Sequence, residues 1–246
     1  MTNESTPERL KNNSNVYIYF LSLYFIAVGT LYLWGYWSLF GVNILEYLTL
    51  ADIVKSTAYP IASIFISLAI GVVLAEISSA KKKFPSGGGR NTVAGQFLFR
   101  HRGLLLILYI TGTLAILVFG PIEKWLVLAT LLGTPIALYA RARNFLVYQI
   151  PAEAPRSVCL FLLATLPLFA FGLGKIGANS VLEGKAFYYV IDNNSITSNS
   201  EPSQRTRFIG RAGEFVFFWE PKESIISFYK LEAGKSLRLG KFGKSI

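Results

Sequence analysis

The sequence predicts a mainly α-helical membrane protein with five transmembrane helices, followed by a small C-terminal all-β module, either a barrel or a meander. Three observations support this fold class. Long uncharged apolar runs dominate the chain up to residue 174, cations cluster between the runs, and a polar segment rich in turn signals follows. Of the 246 residues, 52% are hydrophobic and only 15% are charged, which leaves too little polar surface for a soluble domain of this size.

The first predicted span is residues 16–40, which contain no charged side chain. A helix of this length rises about 37 Å, enough to cross a hydrocarbon core of about 30 Å. The run is longer than the apolar centre of a signal peptide and ends in aromatic residues, so we expect an uncleaved anchor. The polar residues 1–15 are predicted to form a disordered cytoplasmic tail.

Residues 41–56 mix apolar and polar side chains, which predicts a segment lying along the membrane surface. Within it, Thr49 and Asp52 have the spacing of a capping box, so a helix should begin near Leu50. Glu46 and Asp52 could form a carboxylate pair, but no histidine or cysteine lies nearby, and we interpret both as solvated. The second predicted span, residues 58–76, follows this segment.

The segment 77–102 orients the whole chain, because it carries cations and no carboxylate between two apolar runs. Short loops with such a charge bias stay on the cytoplasmic side of a bilayer. We expect its cations to fix topology and to contact anionic lipid headgroups. They are Lys81, Lys82, Lys83, Arg90, Arg100 and Arg102. Its glycine-rich stretch lacks the ending of a phosphate-binding loop, and a single histidine, His101, excludes a metal site built from several imidazoles.

Residues 103–120 and 125–140 are predicted to form two spans in an antiparallel hairpin, separated by a Pro-Ile-Glu-Lys turn. Ala129, Gly133 and Ala137 recur at every fourth position of the second span. This spacing of small residues is typical of a helix-packing face. Arg141 and Arg143 follow the hairpin and are assigned the same topological and lipid-binding role as the basic loop. The fifth predicted span is residues 157–174.

The distribution of cations predicts the orientation. With a cytoplasmic N-terminus, eleven lysines and arginines lie on the inner side and two, Lys55 and Lys124, lie on the outer side. Five crossings then place the C-terminal segment 175–246 in the periplasm or outside the cell. The net charge of +10 thus follows from topology and lipid contact, not from nucleic-acid binding.

Short aromatic runs alternate with turn signals in residues 175–246, as expected for a β module. The predicted strands are residues 186–191, 205–210, 214–219, 224–231 and 236–239. In the third strand Phe215, Phe217 and Trp219 share one face. This face forms either the core of the module or a platform that binds a peptide or glycan, so these three residues are the partner-binding candidates.

Two segments, Trp37 to Tyr47 (WSLFGVNILEY) and Arg207 to Phe218 (RFIGRAGEFVFF), resemble segments of uncharacterised small multi-pass bacterial inner-membrane proteins. The resemblance covers about a tenth of the chain. It implies an inner-membrane location and no particular activity.

The residues also narrow the class of function. No catalytic motif, cofactor motif or metal-ligand cluster is present in the sequence, and no ionisable residue lies in the middle of a predicted span, which disfavours a coupled transporter. We therefore expect a non-enzymatic scaffold or sensor with an extracytoplasmic β module that binds a membrane-protein partner or a second copy. The alternative is a homo-oligomeric pore or membrane-permeabilising effector assembled through Ala129, Gly133 and Ala137.

Overall fold

A computed structural model describes residues 6–78, 92–151, 153–190, 205–231 and 237–242 of the chain. Within these ranges it is mostly helical, with an antiparallel sheet near the C-terminus. The elements in chain order are α1 (Thr6–Trp37), a 3₁₀ turn (Ile44–Glu46), α2 (Leu50–Ser78), α3 (Val93–Arg100), α4 (Arg102–Phe119), α5 (Lys124–Ala142), α6 (Glu153–Leu182), β1 (Phe187–Val190), β2 (Arg207–Ala212), β3 (Phe215–Glu220), β4 (Ile225–Lys230) and β5 (Leu239–Phe242). Two compact units divide the chain, Met1–Ala58 with Phe169–Ile246, and Tyr59–Leu168.

Four helical segments in the described residues are long and apolar enough to cross a membrane. They are Ile18–Trp37, Arg102–Phe119, Lys124–Ala142 and Pro155–Leu182. The protein is therefore compatible with membrane insertion. The predicted span 58–76 forms part of α2 but is not one of these four, so the prediction of five spans is not confirmed.

Two helices extend beyond their predicted ends. Helix α1 already includes Thr6, the first described residue, inside the segment predicted to be a disordered tail. Helix α6 continues eight residues past the predicted end of the fifth span, to Leu182. The extension persists because Ala178 and Val181 are buried in a hydrophobic core, which outweighs the weak helix propensity of the polar residues between them.

The sheet has the strand order β4-β3-β2-β1-β5 with antiparallel pairing throughout. Strands β1 to β4 form a meander, and β5 adds beside β1. The predicted barrel is wrong, because β4 and β5 are two separate edges that do not pair with each other. A register shift between Phe208 and Gly210 interrupts the pairing of β2 with β3.

In the unit that contains the sheet, one hydrophobic core joins the sheet to the helices. Helix α1 contributes Trp37, helix α6 contributes Val181, and the sheet contributes Phe187, Ile209 and Phe217. Phe40 and Ile44, in the segment after α1, complete the core. The sheet is thus packed onto the C-terminal ends of two helices that are distant in sequence.

Glycines allow the helices of this unit to approach closely. A Cβ atom at Gly35 would clash with the backbone of Phe171 on α6, and one at Gly174 would clash with the backbone of α1 at Tyr32 and Tyr36. Helices α1 and α6 therefore touch backbone to backbone, a contact typical of membrane helices. Gly29 makes the same kind of approach to α2, where the hydroxyl of Ser56 lies 3.3 Å from its carbonyl oxygen.

The other unit contains the hairpin of α4 and α5. Lys124 in the turn donates to the carbonyl of Leu117 at 2.8 Å, and the hydroxyl of Tyr109 on α4 donates to the carbonyl of Leu131 on α5. Helix α5 in turn packs on α6, because a Cβ atom at Gly133 would clash with the side chain of Thr165. These contacts hold the three helices together at successive interfaces.

Candidate functional site

In the described residues, the sheet is attached to the helices by aromatic packing and hydrogen bonds. The indole of Trp37 meets Phe217 edge to face, with ring centroids 5.0 Å apart, and a Cβ atom at Gly210 would lie 3.1 Å from the same indole. The hydroxyl of Tyr36 donates to the carbonyl of Ile209 at 2.7 Å. Glycine at 210 thus lets the indole approach β2 closely, and the end of α1 contacts both β2 and β3.

Tyr47 extends this contact to the edge of the sheet. Its ring lies within 5.3 Å of both Phe215 and Phe217 and within 5.8 Å of Phe228 on β4, measured between centroids. Edge-to-face aromatic pairs add about 0.5–1.5 kcal/mol each beyond simple burial. The segment after α1 thus anchors β3 and β4, and not only the centre of the sheet.

Arg207 links β2 to the end of α6. Its side chain is buried, and one terminal nitrogen donates to the carbonyls of Val181 and Leu182 at 2.7 and 2.6 Å. These carbonyls lack partners within the helix, and a cation near a helix C-terminus also suits the macrodipole. The guanidinium lies over the ring of Phe187 at 5.0 Å. Burial lowers the pKa of Arg207, but a guanidinium stays charged at neutral pH.

Asp52 joins the start of α2 to the turn between β2 and β3. Its carboxylate accepts from the hydroxyl of Thr49 at 2.7 Å, from the amide of Thr49 at 3.1 Å and from the amide of Gly213 at 3.2 Å. The amide of Asp52 donates back to Thr49, which confirms the predicted capping box. The hydrogen bond from the Thr49 hydroxyl is the main reason that the pKa of Asp52 lies below its usual value.

The cations predicted to fix topology fall into two groups. Lys81, Lys82, Lys83 and Arg90 lie outside the described residues. Arg100 and Arg102 lie where α3 meets α4, and Arg141 and Arg143 lie at the end of α5. Because α4 and α5 form an antiparallel hairpin, all four arginines are at the same end of it, while Lys124 is at the other.

Exposed aromatic rings accompany these arginines. The guanidinium of Arg102 lies 5.4 Å from the Phe99 ring centroid, and that of Arg143 lies 5.3 Å from that of Tyr139. Tyr148, in the connector that follows α5, is 96% exposed. Paired cations and aromatic rings at a helix end suit the boundary between lipid headgroups and acyl chains. The binding of anionic headgroups at this end of the hairpin stays a prediction.

The small residues of α5 lie in a packed interface within the chain. Ala129, Gly133 and Ala137 are all buried, as is Leu128 beside them. Gly133 faces Thr165, which is itself buried and bonds through its hydroxyl to the carbonyl of Phe161 on its own helix. The face thus has an occupant, α6 of the same chain.

The partner-binding candidates Phe215, Phe217 and Trp219 lie on the sheet face that packs against the helices. Phe217 is fully buried, and the other two are partly buried against the same core. A second aromatic row crosses the opposite face through directly paired or stacked rings. It consists of Tyr188 on β1, Phe208 on β2, Phe218 on β3 and Tyr229 on β4. Its two ends, Tyr188 and Tyr229, are 46% and 45% exposed.

Sequence reasoning missed the role of Arg207 and the outer aromatic row. The alternation of side chains between the two faces of β2 and β3 could have indicated both features. Arg207 pairs with Trp219 on one face, and Phe208 pairs with Phe218 on the other. In the residues that the structure describes, no three His, Cys, Asp or Glu side chains group as metal ligands. The described contacts therefore hold elements together and present surfaces.

Comparison with known proteins adds no relative. The chain matches no protein-family model, no curated protein and no solved structure.

Proposed function

We propose that this protein is a non-enzymatic scaffold or sensor of the cell inner membrane, whose C-terminal sheet lies on the extracytoplasmic side and contacts a partner there. One observation carries the proposal: the sheet shares its core with the ends of α1 and α6, through Trp37, Val181 and Phe217. A sheet held this way moves with the helices. It can therefore report an outer contact to the membrane domain or hold a partner at a fixed height above the bilayer.

The directions of the helices support a fifth crossing. Both α1 and α6 end at the sheet, so they cross the membrane in the same direction. The segments between two such helices must cross an odd number of times. Helices α4 and α5 supply two crossings, and α2, whose 29 residues extend about 43 Å, supplies the third. It also starts in the right place, because Asp52 accepts from the amide of Gly213 in the turn between β2 and β3, and Ser56 is beside Gly29.

Cysteine labelling from one side of the membrane tests this topology. In a Cys159→Ala background, four exposed positions receive single cysteines: Leu45→Cys, Val93→Cys, Tyr148→Cys and Ser224→Cys. With five crossings, an impermeant maleimide applied outside labels positions 45 and 224 and spares 93 and 148. If α2 does not cross, position 93 is labelled together with 45, and position 224 is protected. That second pattern would refute the topology.

Photocrosslinking in intact cells tests the contact with a partner. A photoreactive amino acid replaces Tyr188 on the outer face, and a matched control replaces its neighbour Phe187, which is only 3% exposed and faces the core. We expect one discrete crosslinked species from position 188 and none from 187. If full-length protein at its natural abundance gives no crosslink from position 188, a scaffold that acts through this face is ruled out.

A homo-oligomeric pore is the second proposal, and it requires a change in the helix packing. Assembly through Ala129, Gly133 and Ala137 would have to displace α6 from the face around Gly133. A pore would dissipate the membrane potential on expression, and a potential-sensitive dye measures this directly. A scaffold leaves the potential unchanged.

A further inference from the structure

Among the strands that the structure describes, β4 is an edge of the sheet and pairs only with β3. It is six residues long and its pairing with β3 shows no register shift. Three of its large side chains, Ile225, Phe228 and Tyr229, are 49%, 52% and 45% exposed. Long, regular, apolar edges are rare in natural sheets, because they invite another strand. The other edge, β5, has only four residues and carries Lys241 in their midst.

The exposed backbone groups of β4 can be assigned from its pairing. The amide of Leu231 donates to the carbonyl of Glu214 at 2.9 Å. In an antiparallel ladder this direction alternates from residue to residue. Residues 225, 227 and 229 therefore bond to β3, and the amides and carbonyls of Ile226, Phe228 and Lys230 point away from the sheet. Among the described strands, none pairs with this side of β4.

We propose that β4 pairs antiparallel with β4 of a second copy of this chain, which joins two five-stranded sheets into one of ten strands. The twofold axis of such a pair is perpendicular to the sheet. Two copies in one membrane must share its normal as their symmetry axis. The pairing therefore requires the sheet to lie parallel to the membrane plane, beside the C-terminal ends of α1 and α6 with which it shares a core.

The side chains select the register. Residues that oppose each other across the two strands lie on the same face, so their numbers differ by an even number. Two such registers place Ser227 opposite Ser227, or Phe228 opposite Phe228, of the second copy. Centring on Ser227 places Ile226 opposite Phe228 on the inner face and Ile225 opposite Tyr229 on the outer face. Centring on Phe228 places Lys230 opposite Ile226. The first register matches apolar with apolar and opposes no like charges, and cross-strand pairs of this kind stabilise sheets.

The exposed rings of β4 are already held in place for this contact. Phe228 stacks on Phe217 with centroids 5.6 Å apart, and Tyr229 stacks on Phe218 at 5.4 Å with planes 10° apart. Ordering these side chains on association therefore loses little entropy. A single strand pair buries less than the roughly 1,200 Å² of a standard interface, so we expect a dimer favoured by confinement in the bilayer.

Disulfide trapping in native membranes tests the proposal. In a Cys159→Ala background, Ser227→Cys places two thiols on directly opposed strands, where the Cα atoms are about 4.5 Å apart and within disulfide reach. The control is Lys241→Cys, an exposed position on the opposite edge. Mild oxidation should convert Ser227→Cys to a covalent dimer several-fold more than the control. Equal yields from the two variants, or no dimer from either, would overturn the proposal.

Charged substitutions on β4 distinguish the proposed strand pairing from random collisions between two copies. Added to Ser227→Cys, the changes Ile225→Lys and Tyr229→Lys oppose like charges across the twofold axis and should abolish the disulfide. Ile225→Glu with Tyr229→Lys opposes unlike charges and should restore it. An unchanged near-ultraviolet circular dichroism spectrum in detergent shows that each variant is folded. A disulfide yield that is the same in both double variants overturns the pairing.

Discussion

The indole ring of Trp37 and the phenyl ring of Phe217 lie edge to face with centroids 5.0 Å apart, and both side chains are buried. This pair joins the end of the first helix to β3, an inner strand of the sheet. Replacing Trp37 with Ala should therefore lower the free energy of unfolding by about 3–5 kcal/mol. Chemical denaturation of the full chain in detergent, followed by tryptophan fluorescence, measures the loss.

Trp34 provides the matched control for this substitution. It lies one turn earlier on α1, is 58% exposed, and contacts the ring of Phe171 at 5.4 Å. Its replacement by Ala should lower stability much less than the replacement of Trp37. Equal losses would show that the sheet does not depend on the buried indole.

Arg207 should stabilise the junction of α6 with β2 through hydrogen bonds as well as charge. Replacement with Met removes the charged donor to the carbonyls of Val181 and Leu182, and that of Val181 then keeps the hydrogen bond from the amide of Gly184 at 3.1 Å. Charged hydrogen bonds contribute about 1.5–3 kcal/mol, and we expect a loss of at least that size. Arg207→Lys should recover only part of it, because an ammonium cannot reproduce the planar geometry. Thermal unfolding of the wild type, Arg207→Met and Arg207→Lys gives their order of stability.

Gly133 should be intolerant of even one methyl group. Alanine favours a helix by about 1 kcal/mol over glycine, yet a Cβ atom at this position would clash with Thr165. Gly133→Ala should therefore loosen α5 from α6. Gly112→Ala on α4, where a Cβ atom meets no atom within 4 Å, should be neutral or stabilising. Unfolding of both variants in the same detergent checks the contrast, and similar effects would contradict it.

Asp52 should make the attachment of α2 to the sheet sensitive to acid. Its pKa is lowered chiefly by the hydrogen bond from the Thr49 hydroxyl. The stabilising contribution is therefore complete above the pKa of the unfolded chain, about 3.9, and is lost as the pH falls through the lower pKa of the folded chain. At neutral pH, Asp52→Ala should lose about 1 kcal/mol, the usual value of a helix cap.

Hydrogen exchange locates the effect of this substitution. The amide of Gly213 donates to Asp52, so its exchange should accelerate in Asp52→Ala. Glu46→Ala removes a nearby carboxylate that bonds to Asn43 instead, and Gly213 should not respond. In strong acid the wild type and Asp52→Ala should become equally stable. A stability difference that persists there would mean that the carboxylate charge is not responsible.

Much of the local structure follows from the sequence. The helix start at Leu50, the hairpin of α4 and α5, and the approximate positions of the first four strands are set by caps, apolar runs and turns, which act over a few residues, whereas β5 lies three residues later than predicted. The attachment of the sheet was not predicted, because Trp37 and Phe217 are far apart in the chain and either could equally serve a membrane interface or an isolated β core. Helix α6 was predicted to end too early for the same reason: Ala178 and Val181 are stabilised by strands that follow them.

The hydrogen bond between Tyr36 and Ile209 spans 173 positions of the chain. At about 5–20 residues per second, the ribosome completes β2 roughly 10–35 s after it has made the end of α1. During this interval the aromatic tip of the first helix has no sheet to cover it, and lipid or a chaperone must shield it. A nascent chain that stops before Arg207 leaves this tip without its cover from β2 and β3.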